Sequence, residues 1–337
     1  MTGTDRVCLM NDDADRLLES CAVSHVTLEE TSFGARDFSA NADVVKRAVE
    51  HWDGASHGQI NVLVGDWHER RINAAVTTHY VVEPLPPGSI LHVQDELYTV
   101  SAKCNLLMQA KELHLVDLCK ILGRYWGTFS NLRDPERPDA IVERSCLATE
   151  HELLEYLPQV KKTQGHATLQ EATRFTCKNA ASPQEVNLQL ALCLPASCNG
   201  FALCKPEMNH VVKLEETERD FYDAEYIKID LYWPRARFGL EYLGEKEHES
   251  SLLPDVARWY AAKKKGIDLW FVTKEQLYDA RALDFVAREI ARRTGKRIVS
   301  RTWPRLEEIE SLIGALSGSR ILKPSDELRT RPLRQRR

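Results

Sequence analysis

The stretch from Tyr226 to Gly244, YIKIDLYWPRARFGLEYLG, constrains this chain more than any other. Tyr226 to Trp233 is dense in β-branched and aromatic residues and Phe238 to Leu243 repeats that character. Pro234-Arg235-Ala236-Arg237 between them carries turn chemistry, and Gly244 closes the return strand. The pattern predicts a β-hairpin. A four-residue turn fixes its register, setting Trp233 opposite Phe238, Leu231 opposite Leu240 and Ile229 opposite Tyr242 on one face. On the other face Asp230 falls opposite Glu241, and Lys228 opposite Leu243. Directly opposed residues have Cβ atoms about 4.5–5.5 Å apart, and like charges so placed destabilise a sheet. Either both acids are solvated at the hairpin surface or a cation sits between them. A hard divalent ion is the simplest such cation, because Mg²⁺ takes oxygen ligands and keeps several waters.

At 337 residues the chain is long enough for two domains, each with its own core. No apolar run approaches the ~18–20 residues of a membrane span, and the acidic start MTGTDRVCLMNDDADRLL carries no signal-peptide pattern. No membrane partner and a cytoplasmic location are the expectations. The nine cysteines are odd in number and contain no CxxC pair, as reduced, mostly buried thiols would. Cys193, Cys198, Cys204 and His210 cluster in sequence, but their spacing fits no zinc pattern. Charge is distributed unevenly. Residues 221–337 hold 24 Lys and Arg against 18 Asp and Glu, a net +6, which leaves −11 on residues 1–220 of a chain whose net charge is −5. A basic C-terminal part is what a polyanion partner would meet, although the same charges also suit ordinary helix surfaces.

Taken in order, residues 1–60 are weakly patterned, with Asn11-Asp12-Asp13 as a helix start and Asp43 to His51 as a second helix. Residues 59–100 read as strands punctuated by Pro84, Pro86, Pro87 and Gly88. Ser101 to Leu122 has apolar residues at helical spacing, with Gly123 as its stop. Helical patterns return at 149–157 and 167–178. Ser182-Pro183-Gln184-Glu185 is a helix start, with Ser182 as N-cap, Pro183 at the first helical position and Glu185 closing a capping box. That accounts for Glu185 structurally, and the same residue could also extend an acidic cluster if the helix start lies against the hairpin. Beyond the hairpin, residues 253–265 read as a helix stopped by Gly266, 267–273 as a short buried strand, 274–293 as one long amphipathic helix, 297–300 as a last strand and 304–316 as a closing helix. The tail RTRPLRQRR reads as basic and disordered. The fold expectation is α/β: an N-terminal α+β domain at 1–178, a mixed sheet flanked by helices at 179–318, and a tail at 319–337.

Two resemblances add to this reading. Residues 60–130, with HYVVEPLPPGSI followed by VQDELYTVSAKCNLLMQAKELHLVDLCKILGRYWG, resemble the region preceding the nuclease-like domain of bacterial AbiEi-type abortive-infection and toxin–antitoxin proteins. They carry no catalytic residue. Residues 180–300 resemble the Vsr-like branch of the PD-(D/E)xK endonucleases in the SPxE helix start at Ser182–Glu185, Asp230 within IDLYWP, and Glu241 within GLEY with Gly244 and His248 behind it. Asp255 and Arg258 on the next helix, a glycine, an apolar strand and the helix TKEQLYD…FVAREIARRTGKR continue the likeness.

The resemblance implies a restriction-endonuclease-like core and Mg²⁺- or Mn²⁺-dependent cleavage of a phosphodiester, with Asp230 and Glu241 as metal ligands and DNA as partner. The chain departs from the family at Leu243, where the family places a second acid, or a lysine in the wider superfamily. Lys228, Lys246 or His248 could stand in for it; otherwise the domain is a degenerate binder of nucleic acid or protein. Arg258 either touches phosphate or pairs with Asp255 one helical turn away, and Arg235, Arg237 and Lys246 are the other candidate phosphate contacts. A homodimer and a toxin–antitoxin partner both remain open.

Overall fold

The computed structural model describes residues 5–50, 52, 59–70, 73–81, 84–132, 141–219, 222, 224–244, 252–300 and 302–318. It is an α/β chain in two compact units, one made of residues 1–113 and 125–170, the other of 114–124 and 171–337.

The first unit is ordered around β1, Val7–Leu9, followed by α1, Asn11–Val23. Then come β2 (Glu29–Glu30), α2 (Ala42–Val49), β3 (Ile60–Val64), β4 (Val76–Tyr80), β5 (Ile90–Gln94), β6 (Leu97–Val100), α3 (Ala102–Gln109) and α4 (Leu115–Trp126). The small β7–β8 pair (Phe129–Ser130 and Val142–Glu143), α5 (Glu150–Tyr156) and α6 (His166–Phe175) complete it. The six-stranded sheet has the order β2-β5-β6-β1-β3-β4. β1 runs parallel to β6 and antiparallel to β3. Val7, Leu9, Val62, Val64, Val76 and Leu97 pack with Leu17 of α1 and Val45 of α2 to form its core. Each such side chain contributes roughly 1.5–3 kcal/mol on leaving water. The weakly patterned N-terminus therefore supplies the strand in the middle of the sheet. Three buried residues are too few for a period to register.

Two corrections concern the helix expected at 101–122. It breaks after Gln109 and resumes at Leu115, and it does not stop at Gly123. A Cβ at Gly123 would lie 2.6 Å from Val186 Cγ1. The glycine is there for close packing inside α4, not for termination. Residues 114–124 of α4 belong with the second unit, where Cys119 Sγ donates to the Ala172 carbonyl at 3.9 Å and Lys120 Nζ to that of Ala315 at 3.1 Å. That packing puts the division at 170/171, with 114–124 crossing it, rather than at 178.

The second unit contains α7 (Pro183–Cys193), β9 (Glu207–Lys213), α8 (Glu216–Arg219), β10 (Tyr226–Trp233) and β11 (Phe238–Leu243). It continues with α9 (Leu252–Lys264), β12 (Asp268–Thr273), α10 (Lys274–Leu277), α11 (Ala280–Thr294) and α12 (Leu306–Leu316). Its sheet has the order β12-β11-β10-β9. The strands β9, β10 and β11 are antiparallel, and β12 runs parallel to β11 after a crossover through α9. Ile227, Ile229 and Leu269 pack with Ala261, Ala262 and Ile267.

Both hairpin strands have the predicted bounds, and Arg237 takes the left-handed conformation (φ 48°) that ends the turn. The helix expected at 274–293 is two helices, because the Asp279 carboxylate accepts the Ala282 N–H at 2.7 Å and caps a new start. Residues 297–300 form no strand. The tail at 319–337 lies outside the described residues.

Candidate functional site

The hairpin register holds at Leu231–Leu240, Tyr232–Gly239 and Trp233–Phe238. Beyond those pairs β10 is laddered to β9 and β11 to β12, and the two central strands part. The expected ladder pairs Ile229–Tyr242, Asp230–Glu241 and Lys228–Leu243 are not formed. The Asp230 carboxylate fills the opening instead, where its Oδ2 accepts the Tyr242 backbone N–H at 2.8 Å. An acid thus replaces a backbone carbonyl at the fork, and the charge of Asp230 is felt at Glu241.

The other edge of β10 is also interrupted at Asp230. Its pairing with β9 runs Ile229–His210 and then Leu231–Met208, skipping Asn209. Asn209 has φ 49°, a left-handed conformation inside a strand. Residues held there store strain and persist where surrounding bonds enforce it. Asn209 Nδ2 donates to Glu185 Oε2 at 2.6 Å and to the Asn179 carbonyl at 2.8 Å. Asn209 carried no sequence signal as a site residue beyond the tolerance of asparagine for this conformation.

Glu185 is buried at the start of α7. Ser182 Oγ accepts its N–H at 3.1 Å and donates to its Oε1 at 2.9 Å, as the capping motif predicts. The reciprocal bond goes one residue further back than expected, from the Ala181 N–H to Oε2 at 2.9 Å. The capping role is realised, and the charge of Glu185 also raises the proton affinity of Asp230 and of Glu241.

Glu241 is 3% exposed. Its Oε2 accepts from Arg258 Nη1 of α9 at 2.6 Å. Its Oε1, buried from solvent, has no hydrogen-bond partner among the described residues. The sequence offered Asp255 as partner for Arg258. The bond described is to an acid 17 positions away, and the side chain of Asp255 lies outside the described residues, as do Lys246 and His248.

Proton affinities follow from this crowding. Burial first, then the Glu185 charge, pushes Asp230 up to about 7, against the opposing pull of the Tyr242 N–H, Arg258 and Lys228. Burial and then the Asp230 charge push Glu241 well above the usual carboxylate range, with Arg258 and the Asp230 backbone N–H opposing. Burial also raises Glu185, in spite of its three hydrogen bonds and the charge of Lys228. Three carboxyl groups with raised proton affinity around one fork amount to unsatisfied negative charge.

Lys228 is exposed on β10, two residues from Asp230 and so on its face of the strand. It pairs across to Val211 of β9, so its fit to the space beside Leu243 is not the one the register implied. Arg235 is exposed at the turn. Arg237 is committed to structure. Its Nε donates to the Gly266 carbonyl at 3.0 Å and its Nη2 to that of Lys265, capping the end of α9.

Among the described residues no group of three or more His, Cys, Asp or Glu side chains is disposed to hold a metal ion. A metal at this fork would rest on two carboxylates and water, a donor set that suits Mg²⁺ or Mn²⁺, which use one or two carboxylates and retain waters. Asp230 and Glu241 fit that role through the unpartnered Oε1 and the shared excess of negative charge. Comparison with protein-family models, with curated proteins and with solved structures finds no match for this chain.

Proposed function

We propose that the second unit is a metal-dependent phosphodiesterase of the endonuclease type, with DNA as its substrate. The observation that carries this reading is the buried Glu241 with an oxygen lacking any hydrogen bond, beside a second acid at a forked strand pair. Asp230 and Glu241 would hold Mg²⁺ or Mn²⁺. The bound ion would polarise the phosphate and lower the pKa of a water that attacks it. The residues of the chain supply the rest. The Tyr242 N–H fixes Asp230, Asn209 fixes Glu185, and Asp230 can hold a proton near neutral pH. Lys228, exposed on the acid-bearing face, would meet a phosphate oxygen, and Arg235 would offer a second cation at the turn. Phosphate contacts of this kind make binding fall steeply with salt.

The wider setting in this reading is phage defence or a toxin–antitoxin system in the cytoplasm, where nine free cysteines stay reduced. Among the described residues no helix is long and apolar enough to cross a membrane. Cutting both strands of a duplex would call for a homodimer.

A second reading has its own observation. Leu243 puts no acid or lysine beside Glu241, and Arg258 already supplies that acid with a cation. The domain would then be a degenerate nuclease that binds nucleic acid or a partner protein. Incubation with supercoiled plasmid and with single-stranded DNA, with and without Mn²⁺, separates the two. Cleavage that needs Mn²⁺ and is lost in Asp230→Ala supports the hydrolase. Binding without cleavage, unchanged in Asp230→Ala, supports the binder.

A further inference from the structure

The arginine at the acidic fork is bonded in a way that leaves half of its partner unused. Arg–carboxylate pairs are frequently bidentate, with two parallel N–H···O bonds. Arg258 instead reaches Glu241 through Nη1 and Oε2 alone, at 2.6 Å, while Oε1 faces no donor among the described residues. The two ends of the pair differ in access to water. The Glu241 side chain is 4% exposed and that of Arg258 26%, so the guanidinium has a path to solvent and the carboxylate does not. The charge count is unequal too: one guanidinium faces Glu241 with Asp230 and Glu185 close enough to repel it. A divalent ion would neutralise two carboxylates where the arginine neutralises one. Both cations cannot share the Glu241 carboxylate without repelling each other at short range.

We propose that Arg258 is the resident cation of this centre and is displaced from Glu241 when a divalent ion binds, so that the arginine sets how tightly the free protein takes metal. The inference rests on the hydrolase reading, because it takes Asp230 and Glu241 as the ion's ligands. It also gives α9 a regulatory part. The helix that follows the hairpin carries the group that holds the centre closed to metal. Release of that group frees a guanidinium, suited to bidentate phosphate contact, at the place where a phosphate would arrive.

The test compares Mn²⁺ binding by calorimetry, and the Mn²⁺-induced shift in thermal unfolding midpoint, in the full chain and in two variants. Arg258→Ala removes the cation. Arg258→Gln removes the charge but keeps a donor for Glu241, and it decides the matter if the alanine variant does not fold. Both variants are expected to bind Mn²⁺ about tenfold more tightly than the parent, with a larger rise in midpoint. Binding by the variants with none detectable in the parent supports the proposal as well. Equal or weaker binding in the variants, with the parent binding, overturns the proposal and leaves the metal reading intact. No binding by any of the three proteins overturns both.

Discussion

Among the described residues each unit gathers three acids, five of the six buried and Asp230 half-buried, and it treats them in opposite ways. In the first unit Asp13, Asp15 and Glu19 all project from α1. Asp13 Oδ2 accepts the Asn61 N–H and Nδ2, each at 2.8 Å, and its Oδ1 accepts from Arg16 at 3.2 Å. Asp15 Oδ1 accepts from Asn105 at 2.7 Å, from Gln109 at 3.2 Å and from the Tyr125 hydroxyl. Glu19 Oε2 takes Ser130 Oγ at 3.0 Å and the Asn131 N–H at 3.2 Å, and its Oε1 lies 3.7 Å from Arg144 Nη2. Each acid there meets several donors, and the network reads as architecture. Glu19 Oε1, like Glu241 Oε1, makes no hydrogen bond among the described residues and is met through the Arg144 ion pair. In the second unit Glu185, Asp230 and Glu241 repel one another, have raised proton affinities and leave Glu241 Oε1 without a partner. Burial alone does not mark a functional acid. A shortage of donors around a buried acid is the more telling feature.

The comparison breaks most visibly if Asp15 is truncated. Asp15→Ala leaves Asn105, Gln109 and the Tyr125 hydroxyl facing a hole, and is expected to cost the first unit about 3–5 kcal/mol, read from denaturant unfolding. A loss below about 1 kcal/mol would mean that its bonds are replaceable by water.

Stability against pH sharpens the contrast. Glu185, Asp230 and Glu241 have folded pKa values above their unfolded ones, so the folded state holds protons that the unfolded state has released. Their contribution is fully favourable below the unfolded carboxylate value near 4. It declines as pH rises toward the folded value, which for Asp230 is about 7. The slope is up to about 1.4 kcal/mol per pH unit for each group. Unfolding midpoints of the second unit should therefore fall between pH 4 and pH 7 in chelator, and saturating Mn²⁺ should flatten that fall.

A smaller effect follows for Asp230→Asn. It keeps an acceptor for the Tyr242 N–H and removes one of the three charges. Without metal it should be more stable than the parent by up to about 4 kcal/mol at pH 8 and close to it at pH 4. The same exchange at Asp13 should destabilise at both values.

Much of the second unit was legible from local sequence because its signals are local. Ser182-Pro183-Gln184-Glu185 names a helix start by the bonds its side chains can make. Alternation across Pro234–Arg237 names a hairpin to the residue. What failed to show is what depends on distant chain. The strand β9 was missed because it is an edge, exposed at Glu207, Val211 and Lys213 and bent at Asn209, so its alternation is blurred. Gly123 carries the signature of a helix stop, and only the closeness of Val186 reveals its other purpose. The pairing of Arg258 with Glu241 spans a helix and a strand, a contact that helical spacing has no means of showing. The fork itself could not be read, since register extrapolated from the turn assumes that strands stay paired.

The central proposal is that Asp230 and Glu241, met at Glu241 by Arg258, together take a divalent cation. Calorimetric titration of Mn²⁺ into the chelator-treated protein, beside Asp230→Ala and Glu241→Gln, tests it most directly. The account predicts one saturable site in the parent that is lost in both variants. An absence of binding in the parent and in Arg258→Gln alike, or the same site in the parent and both acid variants, would contradict it.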